Sequence, residues 1–207
     1  MGIKTIVISG QPGTGSTTAA RILSEKLSFR FFTTGQLFKD IAKGTVEEQD
    51  YYPIFKKICD EKNLILPNMG SSNDSEAAID LWKTDFGKSN AFHESIDDLQ
   101  RELAKQGNIV LEGKMAIHLI NNAQIKIWLK SPLSSRAERS AERDDLKLQK
   151  AHSFLENREQ IERKEFKRLY GIDPYEQENS ADLVLDTTNL SQEQVVEKVH
   201  SFVSSKL

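Results

Sequence analysis

The residues most able to do chemistry lie in a row, residues 10–18, Gly-Gln-Pro-Gly-Thr-Gly-Ser-Thr-Thr. Gly10 and Gly15 have the spacing of the phosphate-binding pattern G-x-x-x-x-G-K-[ST], and Thr17 falls at its hydroxyl position. Such a loop turns backbone N–H groups inward around an anion, and the helix after it adds its positive end. The hydroxyl at the Thr17 position is the one that ligates Mg²⁺. One residue departs from the pattern: Ser16 stands where a lysine would reach the β- and γ-phosphates. Gly-rich strand-to-helix turns also occur without phosphate, so the surrounding residues decide the reading. Glu112 ends the apolar run Ile109-Val110-Leu111. At the carboxyl end of a central strand, a carboxylate is placed to hold hydrated Mg²⁺ through water; the plain alternative is a strand-end carboxylate at a turn. Arg136, Arg139 and Arg143 recur at spacings of three and four, along one face of a helix. A second long helix carries Arg158, Arg163 and Lys167. Cations on two helices flanking a polar hairpin suit a lid that closes on phosphates. Glu138, Glu142, Glu159, Glu162 and Glu165 lie on the same helices, however, and ordinary i,i+4 surface pairing explains many of these charges. Two or three of the arginines are expected to be functional.

These residues need elements to hold them. An apolar run over residues 3–9 leads into the loop, and a helical pattern over residues 19–27 leaves it. Residues 29–33 predict a buried strand and residues 34–44 a helix ended by Gly44. Strand, loop, helix, strand and helix in this length begin a doubly wound sheet. The rhythm then stops over residues 45–90. There the spacing predicts a helix through Tyr51, Ile54, Phe55 and Ile58, a turn-rich connection, and a helix capped by Asp74 or Ser75. A loop is expected over residues 85–90. This stretch reads as an insertion capping the substrate side; a helical decoration is the plain alternative. Residues 91–106 predict a helix, residues 109–111 a strand buried on both faces, residues 124–130 a further strand, and Ser131-Pro132 the start of the helix bearing Arg136. A mobile connection over residues 144–150 leads to a long helix over residues 153–170. A last strand at residues 181–187 and a terminal helix with a capping box at Ser191 and Gln194 complete the chain.

The chain has 207 residues and a net charge of −3, which suits one α/β domain over residues 1–207 and argues against nucleic acid as a partner. The single cysteine, Cys59, can form no intrachain disulfide. No apolar run is long enough for a membrane span, and the first residues run into a strand without a signal-peptide layout, so the expected setting is cytoplasmic.

Several segments, in order, are similar to a known family. They are the loop at residues 10–18, Phe32-Thr33-Thr34-Gly35-Gln36-Leu37-Phe38, Leu99-Gln100-Arg101-Glu102, Asn108-Ile109-Val110-Leu111-Glu112-Gly113-Lys114, Tyr170-Gly171-Ile172-Asp173 and Ala181-Asp182-Leu183-Val184-Leu185-Asp186-Thr187. Through them the chain resembles the cytidylate kinases, in particular the shorter archaeal-type branch of the nucleoside monophosphate kinases, over most of its length except residues 45–90. The resemblance implies a three-layer P-loop NTPase fold: a five-stranded parallel sheet with helices on both faces, the insertion at about 45–90 and a lid at about 144–157. It implies transfer of the γ-phosphoryl of ATP to CMP or dCMP with Mg²⁺, by a monomer acting on a small nucleotide, with no nucleic-acid or membrane partner. Gly10, Gln11, Pro12, Gly13, Thr14, Gly15, Ser16, Thr17 and Thr18 would hold ATP, and Thr17, with Glu112 through water, the metal. Gly35, Gln36, Arg101 and Lys114 would face the monophosphate, and Lys114, Arg139, Arg143 and Arg158 would supply catalytic cations. Lys114 stands where arginine is usual, and Glu165 where a second arginine is frequent. A kinase of the same fold acting on another small acceptor (AMP, another nucleotide or a metabolite) and a nucleotide-binding protein without transfer are the competing readings.

Overall fold

The computed structural model describes residues 4–67, 69–71 and 77–207. The head of the first expected strand, Ile3, and the expected helix cap at Asp74 or Ser75 lie outside them. Five strands form one parallel sheet in the order β2-β3-β1-β4-β5: β1 Thr5–Gly10, β2 Arg30–Thr33, β3 Ile109–Glu112, β4 Ile125–Lys130 and β5 Leu183–Asp186. The expected five-stranded α/β sheet is therefore present. β1 is buried along its whole length, as a central strand covered on both faces must be. Its side chains alternate between two cores. Val7 points to one with Leu111 and Trp128, and Ile6 and Ile8 to the other with Val110, Ile127 and Leu129.

The second core is closed by α1 (Ser16–Leu27) and α10 (Gln192–Lys206) through Leu23, Val195 and Val199. Ser191 and Gln194 form the capping box that the spacing predicts. The first core is closed by α2 (Thr34–Lys43), α3 (Tyr52–Glu61), α4 (Ala77–Lys83), α5 (Asp85–Lys88), α6 (Asn90–Gln106) and α7 (Ala116–Leu119). Among the described residues the insertion is thus built of short helices around an irregular stretch at 62–67 and 69–71. The loop expected over residues 85–90 is instead α5 and the start of α6, because the Thr84 hydroxyl accepts from the Gly87 N–H at 2.9 Å and Ser89 caps α6. Aromatic rings knit the insertion down: Trp82 stacks on Phe38 at 5.6 Å and meets Phe166 of α9 (Leu148–Tyr170) at 5.6 Å. With α8 (Leu133–Asp144), α9 makes a hairpin joined only by residues 145–147. The long helix therefore starts five residues before the expected 153, and the mobile connection shrinks to one turn.

At its far end α9 is tied to α6 by the Tyr170 hydroxyl, which donates to Asp97 at 3.1 Å. Burial pushes the Asp97 carboxyl up to about 6, against the opposing pull of that hydrogen bond. A raised carboxyl contributes stability below its unfolded pKa and loses it as pH rises through about 6, so ionised Asp97 is a liability at neutral pH. Asp97→Asn is expected to raise the melting temperature by roughly 2–4 °C at pH 8, for about 1 kcal/mol gained. The gain should shrink between pH 6 and pH 4 in a thermal melt series; an unchanged melt at pH 8 would contradict the cost assigned to this carboxylate.

Candidate active site

The strand order reverses direction at β1, whose neighbours are β3 on one side and β4 on the other. Ligands of open α/β sheets bind at the carboxyl ends of strands where this happens. The loop of residues 10–15 leaves β1 at that point and enters α1. Gly13 (φ 84°) and Gly15 (φ 86°) take the left-handed conformation that aims successive N–H groups into the bend. Gly13 has a second reason to be glycine: a Cβ there would come within 3.0 Å of Arg136 Cβ and 3.1 Å of its carbonyl oxygen. Gln11 holds the loop to β4, accepting from the Ser131 N–H at 3.0 Å, and the Thr14 N–H donates to the Gln11 carbonyl at 3.2 Å. Arg136 is buried and donates to the Pro12 carbonyl at 3.0 Å, to the Ser131 carbonyl at 2.8 Å and to Glu159. Pro12 and Thr14 are buried and Thr18 half-buried, while Thr17 is exposed on the first turn of α1.

Ser16, at the lysine position, donates to Glu112 Oε1 at 2.9 Å, and the Thr33 hydroxyl donates to Glu112 Oε2 at 2.6 Å. The strand register explains the meeting, since Glu112 lies level with Ile8 on one side and Thr33 on the other. The Lys114 ammonium then approaches the loop from β3's end and donates to the Gly10 carbonyl at 3.0 Å. It also lies 3.4 Å from Glu162 Oε2 and 5.0 Å from the centre of the Tyr175 ring. Burial pulls its pKa below the ordinary lysine value, against the opposing field of Glu162. Arg158 donates to Glu162 Oε1 at 2.7 Å, and the Glu162 carboxylate beside it keeps the guanidinium charged. Burial alone would raise the Glu162 carboxyl, but Lys114, Arg158 and the Tyr175 hydroxyl outweigh it and hold it at about 2.

On the other side of the loop a cleft of about 420 Å³ is lined by Gly13, Gly15, Thr18, Arg139, Arg143 and Leu190. Its size is that of a small-molecule site. Arg139 donates to the carbonyls of Thr187 and Thr188, fixing the cleft floor after β5, and Arg143 forms a two-bonded pair with Asp144 at 2.7 Å. Gly35 and Gln36 open α2 beside Glu112, and the Gln36 amide donates to Asp40 at 2.8 Å. The structure thus brings the loop, Glu112, Lys114 and Arg158 together, with Arg139 and Arg143 across the cleft. It does not bring Arg101 to them. Arg101 lies on the exposed side of α6 and donates to Asp98 at 3.0 Å, while its buried neighbour Gln100 turns inward towards Gly113. Arg136, Glu159, Glu162 and Tyr175 carry bonds that the spacing of charges alone does not assign.

Among the described residues no group of three or more His, Cys, Asp or Glu could hold a metal ion. The donors present nevertheless fit Mg²⁺, which keeps several waters and leans on phosphates rather than on a protein cage. The Thr17 hydroxyl offers a hard oxygen. Glu112 has used roughly two of about four lone-pair sites on Ser16 and Thr33, which leaves acceptors for metal-bound water.

A model of the cytidylate kinase-like family matches residues 5–189. The cytidylate kinase of Methanocaldococcus jannaschii is 33% identical over 206 residues, covering 98% of this chain and 96% of the relative. That of Staphylothermus marinus is 32% identical over 203 residues, covering 98% and 97%. Among solved structures, an uncharacterised protein of Eubacterium ventriosum superposes with TM-score 0.65 at 11% identity over 99% of each chain. A shikimate kinase of Bacteroides thetaiotaomicron superposes with TM-score 0.52 at 12% identity over 98% of this chain and 99% of its own. At such identities these two likenesses speak for the fold alone. Among the described residues no helix is long and apolar enough to cross a membrane.

Proposed function

This chain belongs to the cytidylate kinase-like family, and from that premise we propose that it transfers the γ-phosphoryl of ATP to CMP or dCMP. A 5′-phosphate oxygen of the acceptor forms the new bond to the γ-phosphorus as the bond to the β-phosphate oxygen breaks, giving ADP and the diphosphate. Little covalent work falls to the protein; positioning and charge neutralisation carry such transfers. The N–H groups of Gly13, Gly15, Ser16, Thr17 and Thr18 hold the ATP phosphates, with Gly10, Gln11, Pro12 and Thr14 shaping the bend. Thr17, and Glu112 through water, would hold Mg²⁺, which would supply neutralisation of the phosphate charge. Gly35 and Gln36 present the start of α2 to the acceptor phosphate. Arg139 and Arg143 serve the cleft, residues 45–90 cover the acceptor, and residues 144–157 close over the phosphates as a lid. The enzyme works as a monomer on free nucleotides in the cytoplasm.

One observation carries this reading. The Lys114 ammonium on the Gly10 carbonyl brings the loop a cation from outside, where Ser16 brings none. A coupled ADP-release assay with ATP and each of CMP, dCMP, UMP, AMP and GMP tests it. CMP or dCMP is expected to accelerate release at least about tenfold more than the others, since a site built to hydrogen-bond one base edge rejects bases that leave its polar groups unpaired. Acceleration by AMP alone would move the acceptor. No acceleration by any of them would end the kinase reading.

A further inference from the structure

Glu162 has a place that surface pairing does not explain. It is 8% exposed, on a face of α9 that it shares with Ala151, Leu155 and Phe166. A carboxylate taken out of water is costly unless each oxygen is bonded, and replacing a buried ion pair by apolar groups is often neutral or better for stability. Here the carboxylate gathers Arg158 on one oxygen, and Lys114 and the Tyr175 hydroxyl on the other. Arg163 also packs over the Tyr175 ring at 4.8 Å and pairs with Asp173, a second contact that holds the tyrosine. Lys114 is a flexible stem ending in a point charge, with no fork to orient itself. Something must hold its ammonium at the loop, and besides the Gly10 carbonyl its contacts are Glu162 and the Tyr175 ring.

We propose that Glu162 is the positioning residue of this site: its buried carboxylate fixes Lys114 against the phosphate loop and Arg158 beside it, so that both cations are in place before phosphate arrives. A carboxylate repels phosphate, so Glu162 acts only through the cations it holds. One turn earlier Glu159 does the same for Arg136, whose guanidinium rests on Pro12. The two acids, three residues apart on α9, thus brace two carbonyls of one loop. The inference rests on the kinase reading.

Steady-state kinetics with ATP and CMP test it in the wild type, Glu162→Gln, Lys114→Met and the double variant. Glu162→Gln is expected to lower kcat by about 30–100-fold with KM for either substrate within about threefold, the loss that follows from misplacing a catalytic group by about 1 Å. Since the carboxylate works partly through Lys114, the double variant should fall far less than the product of the two single losses. Tyr175→Phe removes one bond to the carboxylate and leaves its charge, and is expected to lower kcat by roughly three- to tenfold with the same flat KM; it decides the matter if Glu162→Gln does not fold. Unchanged kcat in the folded variants, or losses that multiply in the double variant, would overturn the positioning role while leaving the kinase reading intact. A wild type inactive on every monophosphate would overturn both.

Discussion

Lys114→Met is expected to lower kcat for phosphoryl transfer by about 10²–10³-fold, the loss typical of removing one charged donor aimed at developing negative charge. Methionine keeps most of the length and apolar stem, so the change isolates the ammonium. Ser16 has no charge to substitute, and its hydroxyl is already committed to Glu112. Arg158 is two-fifths exposed and reaches the same carboxylate from the opposite oxygen, so it does not fill the place on the Gly10 carbonyl. Glu162 would keep Arg158 and Tyr175 as partners, which limits the damage to the fold. A thermal melt alongside the kinetics separates the two effects. Lys114→Arg restores charge with a different shape and is expected to recover activity to within about tenfold of wild type, because the field matters more than the fork when only one carbonyl is engaged. If Lys114→Met turned over as fast as wild type, the loop would be working without a lysine of any kind.

Thr17→Ala should be comparably severe, with a different signature. The hydroxyl sits exposed on the first turn of α1, at the position where the proposed site would offer Mg²⁺ a direct protein oxygen. Its loss is expected to lower Mg²⁺-dependent kcat by about 10²–10³-fold. Nucleotide affinity should fall by no more than about fivefold, because the backbone N–H groups proposed to hold the phosphates are untouched. Calorimetric titration with ATP, beside turnover measured across a Mg²⁺ series, reads both quantities. Equal turnover at every Mg²⁺ concentration would remove Thr17 from the metal, and a collapse of binding would make it a structural residue of the loop.

The loop and its flanking elements were legible because their signals are local. A glycine spacing, an apolar run before it and a helical pattern after it all fall within residues 3–27. Glu112 was legible from its position at the end of a buried run. What it touches was not, because its partners come from elsewhere in the chain: Ser16 opens α1, and Thr33 on β2 meets it only through the parallel register. Short elements with side-chain caps, such as α5, escape a reading by periodicity: a helix of four residues shows no repeat. Arg101 and Gln100 show the limit from the other direction. Adjacent residues on a helix point about 100° apart, and spacing alone did not say which of the two the core would take. Glu162 left a faint trace. It lies seven residues after Leu155 and four before Phe166, on the apolar stripe of α9, and a charge in such a stripe is a buried group in need of partners. Its i,i+4 spacing to Arg158 offered the commoner explanation of surface pairing.

The contacts of Trp82 with Phe38, on which it stacks, and with the tilted ring of Phe166 carry a consequence for optical work. The chain has two tryptophans, and Trp128 is fully buried in the central sheet. Trp82 sits where the insertion meets α9, with the ring of His93 at 4.8 Å, in surroundings that change if those two segments part. Intrinsic fluorescence therefore combines the sheet's Trp128, level with Ser9 before the loop, with a gauge at that seam. In a Trp128→Phe variant, a shift in emission on adding nucleotide would read the seam alone, with no label attached.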